Sequence, residues 1–269
     1  MTENPEQRRQ TALITGASAG IGRELAAVFA EHGFDLVVVA RRRQELETLA
    51  ASLKVRHGVE VTVIALDLTT PTAPHTLFET TQRQGIEVDV LVNNAGINFY
   101  GDFKDISLEN HLALIQLNIG ALTALTHLYL RPMVERGHGR ILNVASVSAF
   151  QSFPTIAVYA ASKAFVVSLS EALSVELEGT GVTVTALCPG FTETPMLHTE
   201  SVTTGHAASL PSLVVGDAAQ VARDGYEACM QGEAVQVSGL LNQFSTFWMQ
   251  HQPRWLGRTL GGWLKQWVS

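Results

Sequence analysis

The chain has 269 residues, of which 46% are hydrophobic and 16% charged, and its formal net charge is −7. This composition predicts one folded α/β domain rather than a disordered chain. The negative charge argues against nucleic-acid binding, because phosphates are bound by clustered Lys and Arg, and the only dense basic run is 41–43. The two cysteines, Cys188 and Cys229, do not suggest a disulfide framework, so we expect a cytoplasmic protein.

Short apolar runs rich in β-branched residues alternate with longer helical patterns. Strands are predicted over residues 12–15, 36–40, 59–66, 88–93, 140–145 and 182–187, with a weaker one at 234–237. Helices are predicted over 20–32, 44–57, 72–84, 107–135, 157–178 and 217–230. Strands that are apolar nearly throughout are typical of parallel sheets covered on both faces. The alternation therefore predicts an α/β fold, a Rossmann-type doubly wound parallel sheet of about seven strands with helices on both faces.

The first strand is joined to the first helix by a glycine-rich segment, TGASAGIG, at residues 15–22. Glycines allow a tight turn and let the backbone approach a pyrophosphate, which then lies at a helix N-terminus with free N–H donors. The spacing G-x-x-x-G-x-G differs from the usual G-x-G-x-x-G, and a glycine turn alone is weak evidence. Its position between a strand and a helix favours dinucleotide binding over a purely structural turn.

The end of the second strand predicts which dinucleotide is bound. NAD-binding proteins place an acidic residue there for the ribose 2′-OH, whereas this chain has Arg41, Arg42 and Arg43. Guanidinium groups suit the 2′-phosphate of NADP, and Ser18 adds a hydroxyl donor. The alternative is a solvated helix start, but cations are unfavourable at a helix N-terminus, which favours a bound anion. We therefore predict NADP(H) as the cofactor.

Tyr159 and Lys163 lie four residues apart in YAASK, on one face of a predicted helix. With the glycine turn and the segment NNAG at 93–96, they make the chain resemble the short-chain dehydrogenase/reductase family from residue 11 to about 239. The resemblance implies a single-domain oxidoreductase. Residues 1–10 are then a polar N-terminal extension, 11–239 a dinucleotide-binding catalytic domain, and 240–269 a Trp-rich amphipathic C-terminal tail.

The resemblance implies a role for each residue that matches a family motif. Tyr159 is the general acid/base. Lys163 binds the nicotinamide ribose and lowers the pKa of the tyrosine. Ser146 holds the substrate carbonyl, and Asn118 supports a proton-relay water. Cofactor contacts are predicted for Gly16, Ser18, Ala19, Gly20, Ile21, Gly22, Arg41, Arg42, Asp67, Leu68, Asn93, Ala95, Gly96, Tyr159, Lys163, Pro189, Gly190 and Thr192.

Bulky apolar side chains are expected to rim the pocket, so the predicted substrate is a hydrophobic carbonyl compound or alcohol. Substrate contacts are predicted for Ser146, Phe153, Tyr159 and Phe191, although the two phenylalanines are equally consistent with core packing. Segment 193–211 is predicted to be a lid. The nine histidines form no ligand pattern, so no metal site is predicted. No segment is predicted to span a membrane, because the most apolar one, 113–130, is interrupted by polar residues.

All four tryptophans lie in the tail. The last acidic residue of the chain is Glu233, so the tail contains none. Packing on a neighbouring subunit or over the chain's own pocket is favoured over contact with an anionic membrane surface. The family resemblance implies a homodimer or homotetramer. The main alternative function is a catalytically silent NADP(H)-binding regulator that senses redox state, but Ser146, Tyr159 and Lys163 are all present, which favours an enzyme. The direction of the reaction stays open, because the same residues serve reduction and oxidation.

Overall fold

The computed structural model describes residues 8–190, 192, 216–239, 242–244, 246 and 248. Seven parallel strands form one sheet in the order β3-β2-β1-β4-β5-β6-β7, which confirms the predicted fold class. The strands are β1 Thr11–Thr15, β2 Asp35–Ala40, β3 Val61–Ala65, β4 Val90–Asn93, β5 Gly139–Val144, β6 Val182–Cys188 and β7 Val235–Val237. The helices are α1 Gly20–Glu31, α2 Arg43–His57, α3 Ala73–Arg83, α4 Leu108–Ile115, α5 Leu122–Arg136, α6 Ala157–Glu176 and α7 Ala218–Gln231.

Helices cover both faces of the sheet, as the apolar strands require. On one face α1, α2 and α7 pack over the sheet through buried side chains such as Phe29, Leu46 and Val221. On the other face α3, α5 and α6 do so through side chains such as Leu77 and Met133. The central strands β1, β2 and β4 are buried at nearly every position, which explains why their sequences are mostly apolar rather than alternating.

The strand order reverses between β1 and β4, which are paired through the sheet centre. In open α/β sheets the crevice at such a reversal, beyond the carboxyl ends of the strands, is where ligands bind. The glycine turn follows β1 at this edge and the NNAG segment follows β4. The topology thus brings two of the sequence motifs to the same place.

The helix predicted over 107–135 is interrupted. A π-helical segment, Gln116–Ala121, separates α4 from α5 and contains Asn118. The extra residue in a π turn changes the direction of the side chains beyond it, and such turns are frequent at functional sites.

Two helical stretches, Leu108–Arg136 and Ala157–Glu176, are long and apolar enough to cross a membrane, with 44% and 33% of their most apolar windows buried. Both supply side chains to the core clusters on the sheet, among them Leu125, Met133 and Val166. Helices in the core of a folded domain are often this long and this apolar. Length and composition alone are therefore weak evidence that either helix crosses a membrane.

The amino-terminal edge of the sheet is fastened by ion pairs around the buried Asp89. Arg8 Nη2 lies 2.7 Å from Asp89 Oδ1 and 2.6 Å from Glu87 Oε1, and Asp89 Oδ2 accepts a 2.7 Å hydrogen bond from the Thr11 amide. His138 brings a third potential metal ligand within 4.8 Å of the two carboxylates. Because the Arg8 guanidinium pairs with both carboxylates, we interpret the cluster as an ion-pair network that ties residues 8–11 to the starts of β4 and β5.

Candidate active site

The glycine turn leaves no room for side chains between β1, α1 and β4. Gly16 has φ +70°, and a Cβ atom there would lie 2.7 Å from Asn94 Nδ2. A Cβ atom at Gly22 would lie 2.5 Å from the Gly16 carbonyl oxygen. Ala19, the N-cap of α1, supplies no side-chain acceptor for the first amides of the helix, and the first turn has no acidic residue. The bare backbone and uncapped helix N-terminus fit a bound pyrophosphate.

The arginines after β2 lie beside this turn. Arg42 Nη2 donates a 3.1 Å hydrogen bond to Ser18 Oγ, so the two side chains predicted to bind one phosphate converge. Arg43 begins α2 and faces Glu47 at 3.6 Å. Arg42 Nη1 also lies 3.6 Å from Glu45 Oε1, so an anion bound at this exposed guanidinium would share it with that carboxylate.

Asp67 and Leu68 follow β3, beside the arginines at the same edge of the sheet. Partial burial acts to raise the pKa of Asp67, but hydrogen bonds from Thr69 and the charge of Arg41 outweigh it, so the pKa is lowered. Asp67 Oδ1 accepts from both the amide and the hydroxyl of Thr69, at 3.0 and 2.8 Å. Leu68 is buried. Asp67 is therefore an anion at a position predicted to contact the cofactor.

Two residues that sequence reasoning did not select, Thr15 and Asn94, join β1 to β4. Thr15 Oγ1 accepts hydrogen bonds from the amides of Asn94 and Ala95, both at 3.0 Å. Asn94 Nδ2 donates to the Thr15 carbonyl at 2.9 Å. These bonds fix the glycine turn relative to the NNAG backbone. The motif itself was the available signal, because Asn94 is its second residue.

The Asn93 side chain points into the helical layer, away from the glycine turn. Its Nδ2 donates to Thr126 Oγ1 at 3.0 Å and to Asn143 Oδ1 at 2.9 Å. Asn143 in turn donates to Ser170 Oγ at 3.0 Å, which links β4 and β5 to α5 and α6. The Asn93 side chain therefore serves the core, and the cofactor contact predicted for this residue would be made by its backbone.

Asn118 is buried, and its amide group makes two hydrogen bonds to the backbone of the segment that follows NNAG. Its Oδ1 accepts from the Ile97 amide and its Nδ2 donates to the Ile97 carbonyl, each at 3.0 Å. Nδ2 also lies 3.2 Å from Ser162 Oγ, which donates to the Tyr159 carbonyl at 2.7 Å. A Cβ atom at Gly96 would lie 3.3 Å from Asn118 Oδ1 and 3.7 Å from Lys163 Nζ. Asn118 thus ties the π-helical segment to the turn of α6 that carries Tyr159.

Tyr159 and Lys163 occupy successive turns of α6, with Lys163 Nζ 5.6 Å from the centroid of the Tyr159 ring. Lys163 is 5% exposed, and its Nζ donates a 2.7 Å hydrogen bond to the Val144 carbonyl. Burial lowers the pKa of Lys163 to about 8. Within the described residues, no carboxylate forms an ion pair with Lys163. A largely uncompensated cation is therefore held beside the phenol.

Ser146 lies two residues beyond Val144, at the carboxyl end of β5. Its Oγ accepts a 3.1 Å hydrogen bond from the Ser148 amide. A hydroxyl that already accepts from an amide keeps its own proton for donation to another acceptor. Val147, the next residue, donates its amide to the Pro189 carbonyl at 2.9 Å. Ser146 is therefore fixed against the turn that follows β6.

Of the segment after β6, the structure describes Pro189, Gly190 and Thr192, whereas Phe191 and the predicted lid at 193–211 lie outside the described residues. Thr192 Oγ1 donates to the Gly190 carbonyl at 3.1 Å, and Thr192 pairs with Gly216. Cys188, just before this turn, is buried, and burial raises the pKa of its thiol to about 12. It is therefore a neutral core side chain rather than a nucleophile.

A small cavity adjoins Tyr159. It is lined by Phe99, Phe103, Ile156 and His111, none of which is among the predicted substrate contacts. His111 Nε2 donates to the Phe103 carbonyl at 3.1 Å, and the two rings stack at 4.5 Å between centroids. Phe153, predicted to contact substrate, is half-buried in the segment before α6.

The fold and these clusters define an α/β nucleotide-binding protein whose chemistry lies at the carboxyl edge of the sheet. Comparison with known proteins is more specific: residues 10–204 match the model of the short chain dehydrogenase family. This chain therefore belongs to the short-chain dehydrogenase family of oxidoreductases.

Three relatives illustrate the similarity. A 7beta-hydroxysteroid dehydrogenase of Collinsella aerofaciens is 33% identical over 192 residues, which are 71% of this chain and 72% of the relative. A putative ketoacyl reductase of Streptomyces coelicolor is 39% identical over 193 residues, 71% and 73% of the two chains. The solved structure of a short-chain dehydrogenase from Sphingobium yanoikuyae in complex with NADPH has a TM-score of 0.79 and 33% identity, covering 91% of this chain and 97% of that one.

Proposed function

We propose that the protein transfers a hydride between NADP(H) and the carbonyl or secondary alcohol of a hydrophobic small molecule, with Tyr159 as general acid/base. The observation that carries the proposal is the buried Lys163 cation, which lies one helical turn from the Tyr159 ring and pairs with no carboxylate of the described residues. A phenol ordinarily titrates near pH 10, so it is a poor base at neutral pH unless a nearby positive charge stabilises the phenolate.

The residues divide the proton chemistry among themselves. In the reductive direction Tyr159 donates its proton to the carbonyl oxygen, and Lys163 stabilises the phenolate left behind. Ser146 donates a hydrogen bond to the same oxygen, which polarises the carbonyl. Asn118 holds the turn of α6 and supports the water through which Tyr159 is reprotonated. When bound, the nicotinamide supplies or accepts the hydride.

The choice of NADP(H) is supported by the convergence of Arg42 and Ser18 beside the glycine turn. Arg41 adds a second positive charge at the end of β2. The short-chain dehydrogenase of Sphingobium yanoikuyae was solved with NADPH, which supports the same cofactor for this chain.

A hydrophobic substrate is supported by the aromatic lining beside Tyr159 and by the two relatives named for hydroxysteroid and ketoacyl substrates. We further propose that the protein is a cytoplasmic homodimer or homotetramer. Leu108, Leu112 and Ile115 lie on one face of α4 and are 66%, 55% and 41% exposed, as an apolar subunit contact would require.

The test follows the absorbance of NADPH, and separately NADH, with a panel of hydrophobic ketones and aldehydes. Tyr159→Phe is expected to lower kcat by about a hundredfold to ten-thousandfold, the usual contribution of a general acid. Tyr129→Phe is the matched control, because Tyr129 is a buried phenol bonded to Thr81 Oγ1 at 2.9 Å, in the core between α3 and α5. Tyr129→Phe should leave turnover intact.

The regulator is the alternative that this experiment addresses. NADPH binding with no turnover on any carbonyl, unaffected by Tyr159→Phe, would support it and contradict the enzymatic proposal. Turnover that prefers NADH would contradict the assignment of the cofactor while leaving the role of Tyr159 in place.

A further inference from the structure

The residues that follow β7 lie over the turn that follows β6. Residues 242–244 are helical, and the Asn242 side chain lies against Gly190. A Cβ atom at Gly190 would lie 2.3 Å from Asn242 Nδ2 and 2.8 Å from both Cγ and Oδ1 of the same side chain. No real Cβ atom approaches another atom so closely. The three nearest atoms all belong to Asn242, so a side chain at residue 190 would collide with Asn242 in its present position.

Asn242 is itself held in place by the core of the sheet. Its Nδ2 donates a 2.8 Å hydrogen bond to the Ser238 carbonyl. Ser238 is 4% exposed; its amide donates to the Cys188 carbonyl at 3.2 Å, and its hydroxyl donates to Asp224 of α7. Because Cys188 is the last residue of β6, Asn242 is fixed relative to the strand end from which Pro189 and Gly190 emerge.

We propose that Asn242 is a positioning residue for the Pro189–Gly190 turn, which sets the backbone against which the nicotinamide half of the cofactor binds. The inference rests on the proposed function, since the family resemblance gives this turn as a cofactor contact. It extends the cofactor site to the residues after β7, where the Trp-rich tail begins. The same turn reaches the catalytic side through the bond from the Val147 amide to the Pro189 carbonyl.

The test uses Gly190→Ala, Asn242→Ala and the double variant, because the close contact makes their effects interdependent. Gly190→Ala is expected to weaken NADPH binding by roughly tenfold or more, since the new methyl group displaces either the turn or Asn242. Asn242→Ala removes the positioning contact and should weaken binding by a few-fold. The double variant should bind like Asn242→Ala, and therefore more tightly than Gly190→Ala alone.

NADPH binding is measured by the fluorescence of the reduced cofactor, and the melting temperature of the cofactor-free protein is measured beside it. The melting temperature measures how much the contact between Asn242 and Gly190 stabilises the fold. The binding constant measures how much that contact contributes to NADPH binding. A positioning role predicts that KM for NADPH rises while KM for the carbonyl substrate is unchanged. Gln243→Ala is the control, because the exposed Gln243 donates at 3.0 Å to the Val237 carbonyl instead and should leave NADPH binding unchanged.

If Gly190→Ala fails to fold, the comparison of Asn242→Ala with the double variant and with the wild type remains. Wild-type NADPH affinity in both Gly190→Ala and Asn242→Ala would overturn the inference, as would a double variant no better than Gly190→Ala. Loss of melting temperature in Asn242→Ala without any change in affinity would assign it a purely structural role. Failure of the proposed chemistry is seen separately, because Tyr159→Phe would then retain turnover while these binding constants still shift.

Discussion

The burial of Lys163 is expected to make the stability of the cofactor-free protein depend on pH. Burial lowers the pKa of Lys163 from 10.5 to about 8. The unfolded chain keeps this proton up to its ordinary pKa, whereas the folded protein releases it near pH 8. Between these values the unfolded state binds more protons, so the free energy of unfolding rises with pH. The difference between the two pKa values corresponds to about 3 kcal/mol.

The assay compares urea denaturation of the wild type and of Lys163→Met at several pH values between 7 and 10. Met preserves much of the side-chain volume but has no proton to exchange, so the wild type should gain about 2 to 3 kcal/mol relative to the variant over this range. Lys54→Met is the control for loss of a lysine, because Lys54 is exposed and pairs with Glu60 at 2.9 Å. A difference between wild type and Lys163→Met that stays constant with pH would refute the reasoning.

Two further predictions concern recognition of cofactor and substrate. Arg42→Ala is expected to lower the preference for NADPH over NADH by about tenfold to a hundredfold, because a charge-assisted contact with the 2′-phosphate is lost; the ratio of kcat/KM for the two cofactors measures this, and an unchanged ratio would exclude Arg42 from the contact. His111→Ala is expected to raise KM for bulky ketones several-fold and leave KM for NADPH unchanged, because the imidazole fixes Phe103 beside Tyr159. His111→Gln keeps a donor for the Phe103 carbonyl, so its KM for bulky ketones should lie between those of the wild type and His111→Ala. A lower melting temperature of His111→Ala with an unchanged KM would contradict a role of His111 in the substrate pocket.

The sheet was predictable because each of its central strands corresponds to a short, contiguous apolar run in the sequence. β2, for example, reads DLVVVA over Asp35–Ala40 and is buried at its four central positions, so the apolar run marks both the strand and its two covered faces. The glycine turn was predictable for the same reason, since the strand before it, the spacing and the helix after it are contiguous. The left-handed backbone of Gly16, at φ +70°, is a local requirement that only glycine meets easily.

The π-helical segment at 116–121 was not predictable from the spacing of apolar residues. Leu114, Leu117 and Ala121 are all buried, and their spacing is that of an ordinary amphipathic helix. The π turn places Asn118 so that both ends of its amide meet the Ile97 backbone, a contact across 21 residues of sequence. Patterns within a window of one helix carry no information about such a partner.

The same limit explains which site residues were missed. Thr15 and Asn94 meet across 79 residues of sequence. Asn242 meets Gly190 only because β6 and β7 are neighbours in the sheet. In each case the residue type was visible, but its partner was set by the strand order, which short patterns do not contain. The proposed catalytic residues could be selected from the sequence because the family resemblance already relates these distant positions to one another.

The electrostatics of Lys163 supply an independent argument that this site has a function. A lysine that served only the fold would be stabilised by an acid, because a buried charge without a counterion is costly. Here the described residues give Lys163 a single backbone carbonyl, and its pKa falls accordingly. That unfavourable charge becomes useful only when a negative charge develops nearby, as it does on Tyr159 when the phenol loses its proton. The placement of an uncompensated cation against a phenol is therefore better explained by a transient phenolate than by stability.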